Sequence, residues 1–195
     1  MIYSCLKINE FTFDDYTLVP LRLEDAESIR QWRNQQINIL RQPHPITKQD
    51  QENYFERVVK PLSQQKQPNQ LLFSLLYEGT CIGYGGLVHI SWQNLRAEVS
   101  FLMSLDTLRS QCKKSLTNNE LYRITFTAHL QALKKLAFEE LGFHRIFTET
   151  FDIRPLHISI LEDNNFVLEG RMIDHAVING RFVDSLLHGC IKKEI

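Results

Sequence analysis

Residues 119–141 place the strongest restriction on what this chain can fold into. Apolar residues recur three or four positions apart from Leu121 to Leu141, and a glycine follows. This spacing predicts a long amphipathic helix with a glycine C-cap. Segments 96–103 and 145–150, on either side of it, have the character of strands. Two strands of one sheet joined through a helix need a crossover, so these two are predicted to be parallel neighbours.

The other strand signals are those of an antiparallel sheet. Glu78-Gly79-Thr80 predicts a short turn between two strands, and Asn179-Gly180 predicts the turn of a final hairpin. The predicted strands are 16–21, 71–77, 81–89, 96–103, 145–150 and the two arms of 167–191; the further predicted helices are 23–36, 47–59 and 155–164; and 61–69 is a predicted solvated linker. The chain is thus predicted to be one α/β domain over 1–195, with 1–15 as an N-terminal extension. Its mixed, mostly antiparallel seven-stranded sheet has a central parallel pair and about four flanking helices.

Composition and charge argue against several classes of partner. The 22 Lys and Arg nearly balance the 23 Asp and Glu, so no overall field would attract nucleic acid or an anionic membrane. We find neither a signal-peptide pattern nor an apolar stretch of membrane-spanning length, which predicts a cytoplasmic address. The four cysteines form no Cys-x-x-Cys pair, and the seven histidines lack the spacing of ligands on one helix face. Reduced thiols and no bound metal are therefore expected.

Four strings of residues, in a fixed order, resemble one known superfamily. They are Arg96-Ala97-Glu98-Val99-Ser100, then Ala137-Phe138-Glu139-Glu140-Leu141-Gly142-Phe143-His144-Arg145-Ile146, then Leu161-Glu162-Asp163-Asn164-Asn165-Phe166, and a tail from Glu169-Gly170-Arg171 to Asp184. From about Tyr16 onward the chain resembles the GNAT acetyltransferases, particularly the ribosomal-protein-alanine acetyltransferase branch. The resemblance implies the GNAT fold and transfer of an acetyl group from acetyl-CoA to an amine.

A narrower likeness concerns the acceptor. Ile29-Arg30-Gln31-Trp32-Arg33-Asn34 is similar to the first helix of GNAT enzymes that acetylate nucleotide-linked amino sugars during surface-polysaccharide biosynthesis. This likeness implies that Trp32, Arg33 and Arg41 bind the substrate, because a guanidinium can grip a phosphate with two hydrogen bonds. The alternative is that Trp32 belongs to the core and Arg33 to the surface.

The resemblance also implies where acetyl-CoA binds. In the family, two splayed parallel strands hold the pantetheine arm, and a free backbone N–H polarises the thioester; the matching residues here are Phe101, Leu102, Met103 and Ser104. The family's glycine-rich pyrophosphate loop is missing, since residues 104–121 contain no glycine. The residues expected to replace it, or to contact the pantetheine, are Lys113, Lys114, Thr117, Asn118, Asn119 and Arg154. The alternative is a solvated loop and a degraded donor site.

Glu98 is the predicted general base. A glutamate between apolar residues within a strand is unusual. Alternation puts it on one face with Ser100 and Leu102, from which a carboxylate could take the proton of an ammonium group. The structural alternative is an ion pair with Arg96.

The proton donor to the departing thiolate is harder to identify. Many family members use a tyrosine, and the matching position here is Leu161. The resemblance therefore leaves His157, Ser159 or a water molecule for this role, or a thiolate that leaves without an enzymic acid.

The sequence thus predicts an acetyl-CoA-dependent N-acetyltransferase without a metal, acting on a small-molecule amine, with a nucleotide-linked amino sugar as the favoured acceptor. Protein N-termini and aminoglycosides are alternative acceptors. A second class of hypothesis is a GNAT-fold protein that binds a ligand or partner without catalysis. The edge of the terminal hairpin also suggests a homodimer.

Overall fold

The computed structural model describes residues 1–40 and 42–193. Its eight strands form one sheet in the order β1-β2-β3-β4-β5-β6-β8-β7, in which only β5 and β6 are parallel. The strands are β1 Phe11–Phe13, β2 Tyr16–Pro20, β3 Leu71–Tyr77, β4 Thr80–Ser91, β5 Arg96–Met103, β6 Arg145–Phe151, β7 Val167–Ile178 and β8 Arg181–Ile191. The mixed sheet with its central parallel pair is confirmed, but it has eight strands rather than the predicted seven.

The additional strand lies in the segment predicted as an N-terminal extension. β1 pairs antiparallel with β2, and its Phe11 is buried. Tyr3 is also buried and donates a 2.7 Å hydrogen bond to the carbonyl oxygen of Leu72. β1 could not be predicted, because three residues are too few for an alternating pattern to be recognised.

The helices lie on both faces of the sheet. They are α1 Ala26–Gln35, α2 Lys48–Tyr54, α3 Lys60–Ser63, α4 Leu105–Gln111, α5 Asn118–Lys134 and α6 Pro155–Asp163, with π-helical turns at Phe55–Val59 and Lys135–Glu140. The π-helical turn at Phe55–Val59 joins α2 and α3 into one continuous helix, so residues 1–40 and 42–193 form five α-helical segments instead of about four. The predicted linker 61–69 therefore begins in a helix. α4, which begins at the N-cap Ser104, lies within the glycine-free segment predicted as a loop.

Each face of the sheet packs against its own set of helices. On one face, α1 and the α2–α3 helix bury Ile29, Trp32 and Phe55 against sheet residues that include Tyr84 and Leu102. On the other face, α4, α5 and α6 cover the larger core, to which the predicted apolar stripe of α5 contributes Leu121, Leu130 and Leu133. Phe126, outside the predicted stripe, is also buried there, whereas Ile124 of the stripe is exposed. Burial of each such side chain contributes about 1.5–3 kcal/mol. Adjacent residues of β5 therefore face different helices.

Candidate active site

The parallel strands β5 and β6 are paired at one end only. Three residue pairs join them, from Arg96 with Arg145 to Glu98 with Phe147. Both strands continue well beyond these pairs, and a cavity of about 420 Å³ opens between them. Its wall includes Glu98, Ser100 and Phe101 of β5, Thr148 of β6, and Arg154 and His157 at the start of α6. The gap implied by the family resemblance is present.

Glu98 lies on this cavity and is 4 % exposed. Its Oε2 is 2.8 Å from Nδ1 of His89, a residue of β4 that also lines the cavity. Arg96, which the structural alternative paired with Glu98, has its guanidinium over the ring of Phe147, 5.9 Å from the centroid. A carboxylate beside an imidazole on a cavity wall can accept a proton from a bound ammonium group.

Backbone N–H groups of β5 also face the gap. The N–H of Ser104 donates to the carbonyl oxygen of Ile82 at 2.8 Å, so it is already used on the β4 side. Because N–H directions alternate along an antiparallel pair, those of Phe101 and Met103 turn toward β6 instead. They are suited to polarise a carbonyl oxygen held in the gap. The side chains of Leu102 and Met103 themselves are buried in the two cores.

An aromatic cluster closes the α5 side of the cavity. The rings of His157 and Phe126 are stacked with centroids 4.1 Å apart, and Phe101 stacks on Phe126 at 4.5 Å. His157 Nδ1 lies 2.8 Å from the hydroxyl of Tyr122, which also accepts a 2.8 Å hydrogen bond from Arg154. Burial, reinforced by the charge of Arg154, holds the pKa of His157 well below its usual value. His157 is therefore neutral near pH 7.

His129 supports the same wall from within the core. Its Nε2 donates to the carbonyl oxygen of Ser100 at 2.9 Å, and burial lowers its pKa to about 4. A Cβ at Gly85 of β4 would lie inside contact distance of the Ser100 carbonyl and 2.9 Å from the His129 ring. Glycine at this position therefore lets the imidazole reach β5.

The residues predicted for the acceptor occupy different positions. Arg33 lines the first cavity and a second one of about 390 Å³ beside α1 and α2. Its guanidinium donates to Gln42 at 2.8 Å and to the hydroxyl of Tyr84. Trp32 is buried in the core beneath α1, as its structural alternative proposed. The predicted residue Arg41 lies outside the described residues.

The N-terminus of α5, where the coenzyme pyrophosphate was expected, is capped by the chain itself. Thr117 Oγ1 accepts from the backbone N–H of Glu120, and the Glu120 carboxylate accepts from the N–H of Thr117 at 2.7 Å. Asn118 Oδ1 accepts from Arg109 at 2.8 Å. This capping box stabilises the helix but puts a negative charge where an anion was expected.

The remaining donor-site candidates are spread over the surface nearby. Asn119 and Lys113 are exposed, and Lys114 Nζ pairs with Asp15 at 2.9 Å. Ser159 accepts a 3.1 Å hydrogen bond from Arg123 on the α5–α6 surface and does not belong to the described lining of the cavity. Among the residues predicted to bind the coenzyme pyrophosphate, to contact the pantetheine or to donate the proton, Arg154 and His157 lie on the same cavity as Glu98. Lys113, Lys114, Asn119 and Ser159 do not belong to its described lining.

Sequence reasoning missed several residues of the site. Tyr122 stands four residues before Phe126 and seven before His129, so helical spacing could have put all three on one face. His89 and Glu149 had no such signal, because their place on the cavity depends on strand pairing distant in sequence.

A partly separated parallel strand pair, with a buried carboxylate on the cavity between the strands, defines an N-acyltransferase of the GNAT class. A family model described as Acetyltransferase (GNAT) domain matches residues 18–187, and the chain belongs to this family. It is accordingly an acyl-CoA-dependent N-acyltransferase, and acetyl-CoA is the donor that GNAT acetyltransferases use.

Individual relatives are more distant. An uncharacterized N-acetyltransferase p20 of Bacillus licheniformis is 25% identical over 181 residues, which are 91% of this chain and 93% of the relative. The structure of a Vibrio cholerae spermidine N-acetyltransferase in complex with CoA and spermine is 18% identical with a TM-score of 0.72, covering 92% of this chain and 96% of that one. A dodecameric structure of spermidine N-acetyltransferase from the same organism is 19% identical with a TM-score of 0.68, covering 92% and 95%. At these identities the structures share the fold.

The described residues contain neither a metal-binding cluster nor a membrane-spanning helix. Within residues 1–40 and 42–193, no three His, Cys, Asp or Glu side chains are grouped so that they could hold a metal ion. No helix among the same residues combines the length and the apolar character needed to cross a membrane.

Proposed function

We propose that this protein transfers an acetyl group from acetyl-CoA to the primary amine of a small molecule. The observation that carries the proposal is the position of Glu98 on the cavity between β5 and β6. Glu98 takes a proton from the bound ammonium group and His89 passes it to solvent. The free amine then attacks the thioester carbonyl, whose oxygen is stabilised by the N–H groups of Phe101 and Met103.

The acceptor that the site supports best is a di- or polyamine. Two carboxylates, Glu98 and Glu149, line the first cavity, so it has acidic groups for more than one ammonium group. Asp50 lines the second cavity, where its carboxylate already accepts the capping hydrogen bonds of Thr47. Arg33 already donates to Gln42 and Tyr84, which reduces its capacity to bind a phosphate. Spermidine N-acetyltransferases are among the proteins of similar fold.

A nucleotide-linked amino sugar, the acceptor favoured by the sequence, is the second candidate. Arg33 supports it, because its side chain borders both cavities and could release Gln42 to bind a phosphate. Membership of the ribosomal-protein-alanine or amino-sugar branch, the single-domain organisation and a cytoplasmic address remain predictions. Self-association also remains a prediction; a dodecamer among the similar structures favours an oligomer without favouring a dimer.

Acetyl-CoA binding is the first test of the proposed function. A ligand at about 100 times its dissociation constant stabilises the fold by about 2.7 kcal/mol, so a thermal shift is expected. A screen of spermidine, spermine and nucleotide-linked amino sugars, read by thiol release, then identifies the acceptor. If neither acetyl-CoA nor a longer acyl-CoA shifts the melting temperature, the non-catalytic alternative replaces this proposal. If thiol is released with nucleotide-linked amino sugars but not with spermidine or spermine, the amino sugar becomes the first candidate acceptor.

A further inference from the structure

Three polar side chains are connected by hydrogen bonds at the α5–α6 side of the cavity. Arg154 Nη2 donates to the hydroxyl oxygen of Tyr122 at 2.8 Å, and that hydroxyl lies 2.8 Å from Nδ1 of His157. Both Arg154 and His157 line the cavity, and Tyr122 stands behind them on α5. The chain of contacts therefore runs from a phenol to the cavity wall through one imidazole.

The hydrogen bonds fix the tautomer of His157. A guanidinium can only donate, so the Tyr122 oxygen is the acceptor in its contact with Arg154. The phenolic hydrogen then needs an acceptor, and among the described residues the available one is Nδ1 of His157. In the neutral imidazole an Nδ1 that accepts leaves the proton on Nε2. Nε2–H has no protein partner within the described part of the chain and is available to a ligand in the cavity.

The surrounding charges keep the ring neutral. Arg154 at the start of α6, His129 of α5 and His188 of β8 all disfavour a positive charge on His157. The carboxylates on the same cavity, Glu98 of β5 and Glu149 of β6, are the opposing groups. Burial is the largest influence on the pKa of His157, and it acts in the same direction as Arg154.

We propose that Tyr122, acting through His157, supplies the proton that the departing thiolate of CoA takes up. The proposal rests on the proposed function. As the C–S bond of the tetrahedral adduct breaks, its electron pair stays on sulfur, which takes the proton of His157 Nε2. Nδ1 takes the proton of the Tyr122 hydroxyl at the same time, and Arg154 stabilises the tyrosinate that remains. The nitrogen of the adduct gives its second proton to Glu98, and His89 passes it to solvent as before. A proton from solvent then restores Nε2, and Nδ1 returns its proton to Tyr122, so the cycle releases one net proton.

This route provides the proton donor that is missing at Leu161, the position where many family members have a tyrosine. Leu161 is buried in the core and has no proton to give. Neutral imidazole alone is too weak an acid for a thiolate, whereas a phenol has a pKa of about 10, close to that of a thiol. Burial raises the pKa of Tyr122, but Arg154 acts against that rise. His157 is thus the group that contacts the reacting sulfur, and Tyr122 is its proton source.

The tautomer can be measured without knowing the acceptor. In the ¹⁵N-histidine-labelled protein, long-range ¹H–¹⁵N spectra at neutral pH should show His157 protonated on Nε2, with the signal assigned through H157Q. Addition of CoA should shift the Nε2 signal more than addition of desulfo-CoA. Tyr122→Phe removes the hydroxyl and keeps the ring, and it should abolish the single tautomer. Tyr16→Phe is the matched control, because it removes another hydroxyl bonded to α5, at Thr125, away from the cavity.

Kinetics give the second measurement. With the best acceptor from the screen, Tyr122→Phe and H157Q should each lower kcat by about 10²-fold while changing the KM for acetyl-CoA by less than about threefold. The solvent deuterium isotope effect on kcat should fall in both, which a merely structural role of Tyr122 would not produce. Tyr16→Phe should leave kcat and the isotope effect unchanged.

The outcomes separate the two proposals. Failure of the wild-type protein to bind acetyl-CoA overturns the transferase function and the proton route with it. Binding with His157 protonated on Nδ1, or with a His157 signal that CoA does not shift, overturns the proton route alone. Equal turnover by Tyr122→Phe and the wild type has the same consequence.

Discussion

Nδ1 of His89 lies 2.8 Å from Oε2 of Glu98, and the two side chains differ sharply in exposure, at 69% for the histidine and 6% for the glutamate. A proton accepted by the buried carboxylate therefore has a short path to an imidazole that is open to water. His89 occupies this position through an irregular end of β4, where the pairing with β5 shifts register and its φ is +48°. The bulge aims a polar side chain from the strand edge toward the cavity.

Glu98→Gln keeps the shape of the side chain but removes its basicity. We expect kcat at neutral pH to fall by about 10²–10⁴-fold, the usual contribution of a general base. Acetyl-CoA binding, followed by thermal shift, should remain, because the donor does not need this carboxylate. Turnover that is unchanged at neutral pH would show that Glu98 is not the base.

His89→Ala interrupts the path from Glu98 to solvent. We expect kcat to fall by about 10-fold and free imidazole to restore part of it, since a small base can take the vacated place. His144→Ala, at another exposed histidine, is the control and should neither lose activity nor respond to imidazole. Loss without rescue in His89→Ala would indicate a packing role.

His129 predicts how stability depends on pH. Its pKa is about 4 in the folded protein and 6.5 when unperturbed, so below 6.5 the unfolded chain binds a proton that the native state does not. The contribution of His129 to the free energy of unfolding is fully present above pH 6.5 and is lost as the pH falls toward 4. It amounts to about 3 kcal/mol. Urea unfolding at several pH values measures it. In His129→Gln the pH dependence should be shallower by about one proton, and an unchanged slope would contradict the assignment.

Gly85→Ala tests the packing behind β5. The new methyl group would collide with the Ser100 carbonyl and the His129 ring, so we expect a loss of at least about 2 kcal/mol in unfolding free energy. Gly170→Ala is the control, because its Cβ would be 3.9 Å from Leu187 and should change stability by less than about 1 kcal/mol. Equal stability of the two variants would mean that the strands move apart readily.

Much of the fold follows from local pattern. The predicted bounds of β3 and β5 match the structure residue for residue, because alternating or continuous apolar strands next to turns with glycine are strong signals. Short elements escaped notice: β1 has three residues and α4 has seven, too few for a hydrophobic period to stand out. Their positions are set by contacts made after the chain has folded.

The residues of the site also fall into those that the local sequence indicates and those that it does not. Glu98 could be selected because a charge inside a strand is conspicuous in the sequence itself. Tyr122 and His157 are 35 positions apart and meet only through the packing of α5 on α6. The capping box at Thr117 and Glu120 consists of residues typical of helix N-termini, yet the family resemblance suggested an anion site there. Partnerships across such distances depend on tertiary structure, which no local pattern encodes.

The sheet has two parts, β1–β5 and β6–β8, and three residue pairs between β5 and β6 join them directly. Helices that pack against both parts provide the other contacts between them. A molecule bound in the gap would contact both β5 and β6 and would hold the two parts of the sheet together. Its binding would then determine whether the two parts move as one rigid body or bend relative to each other.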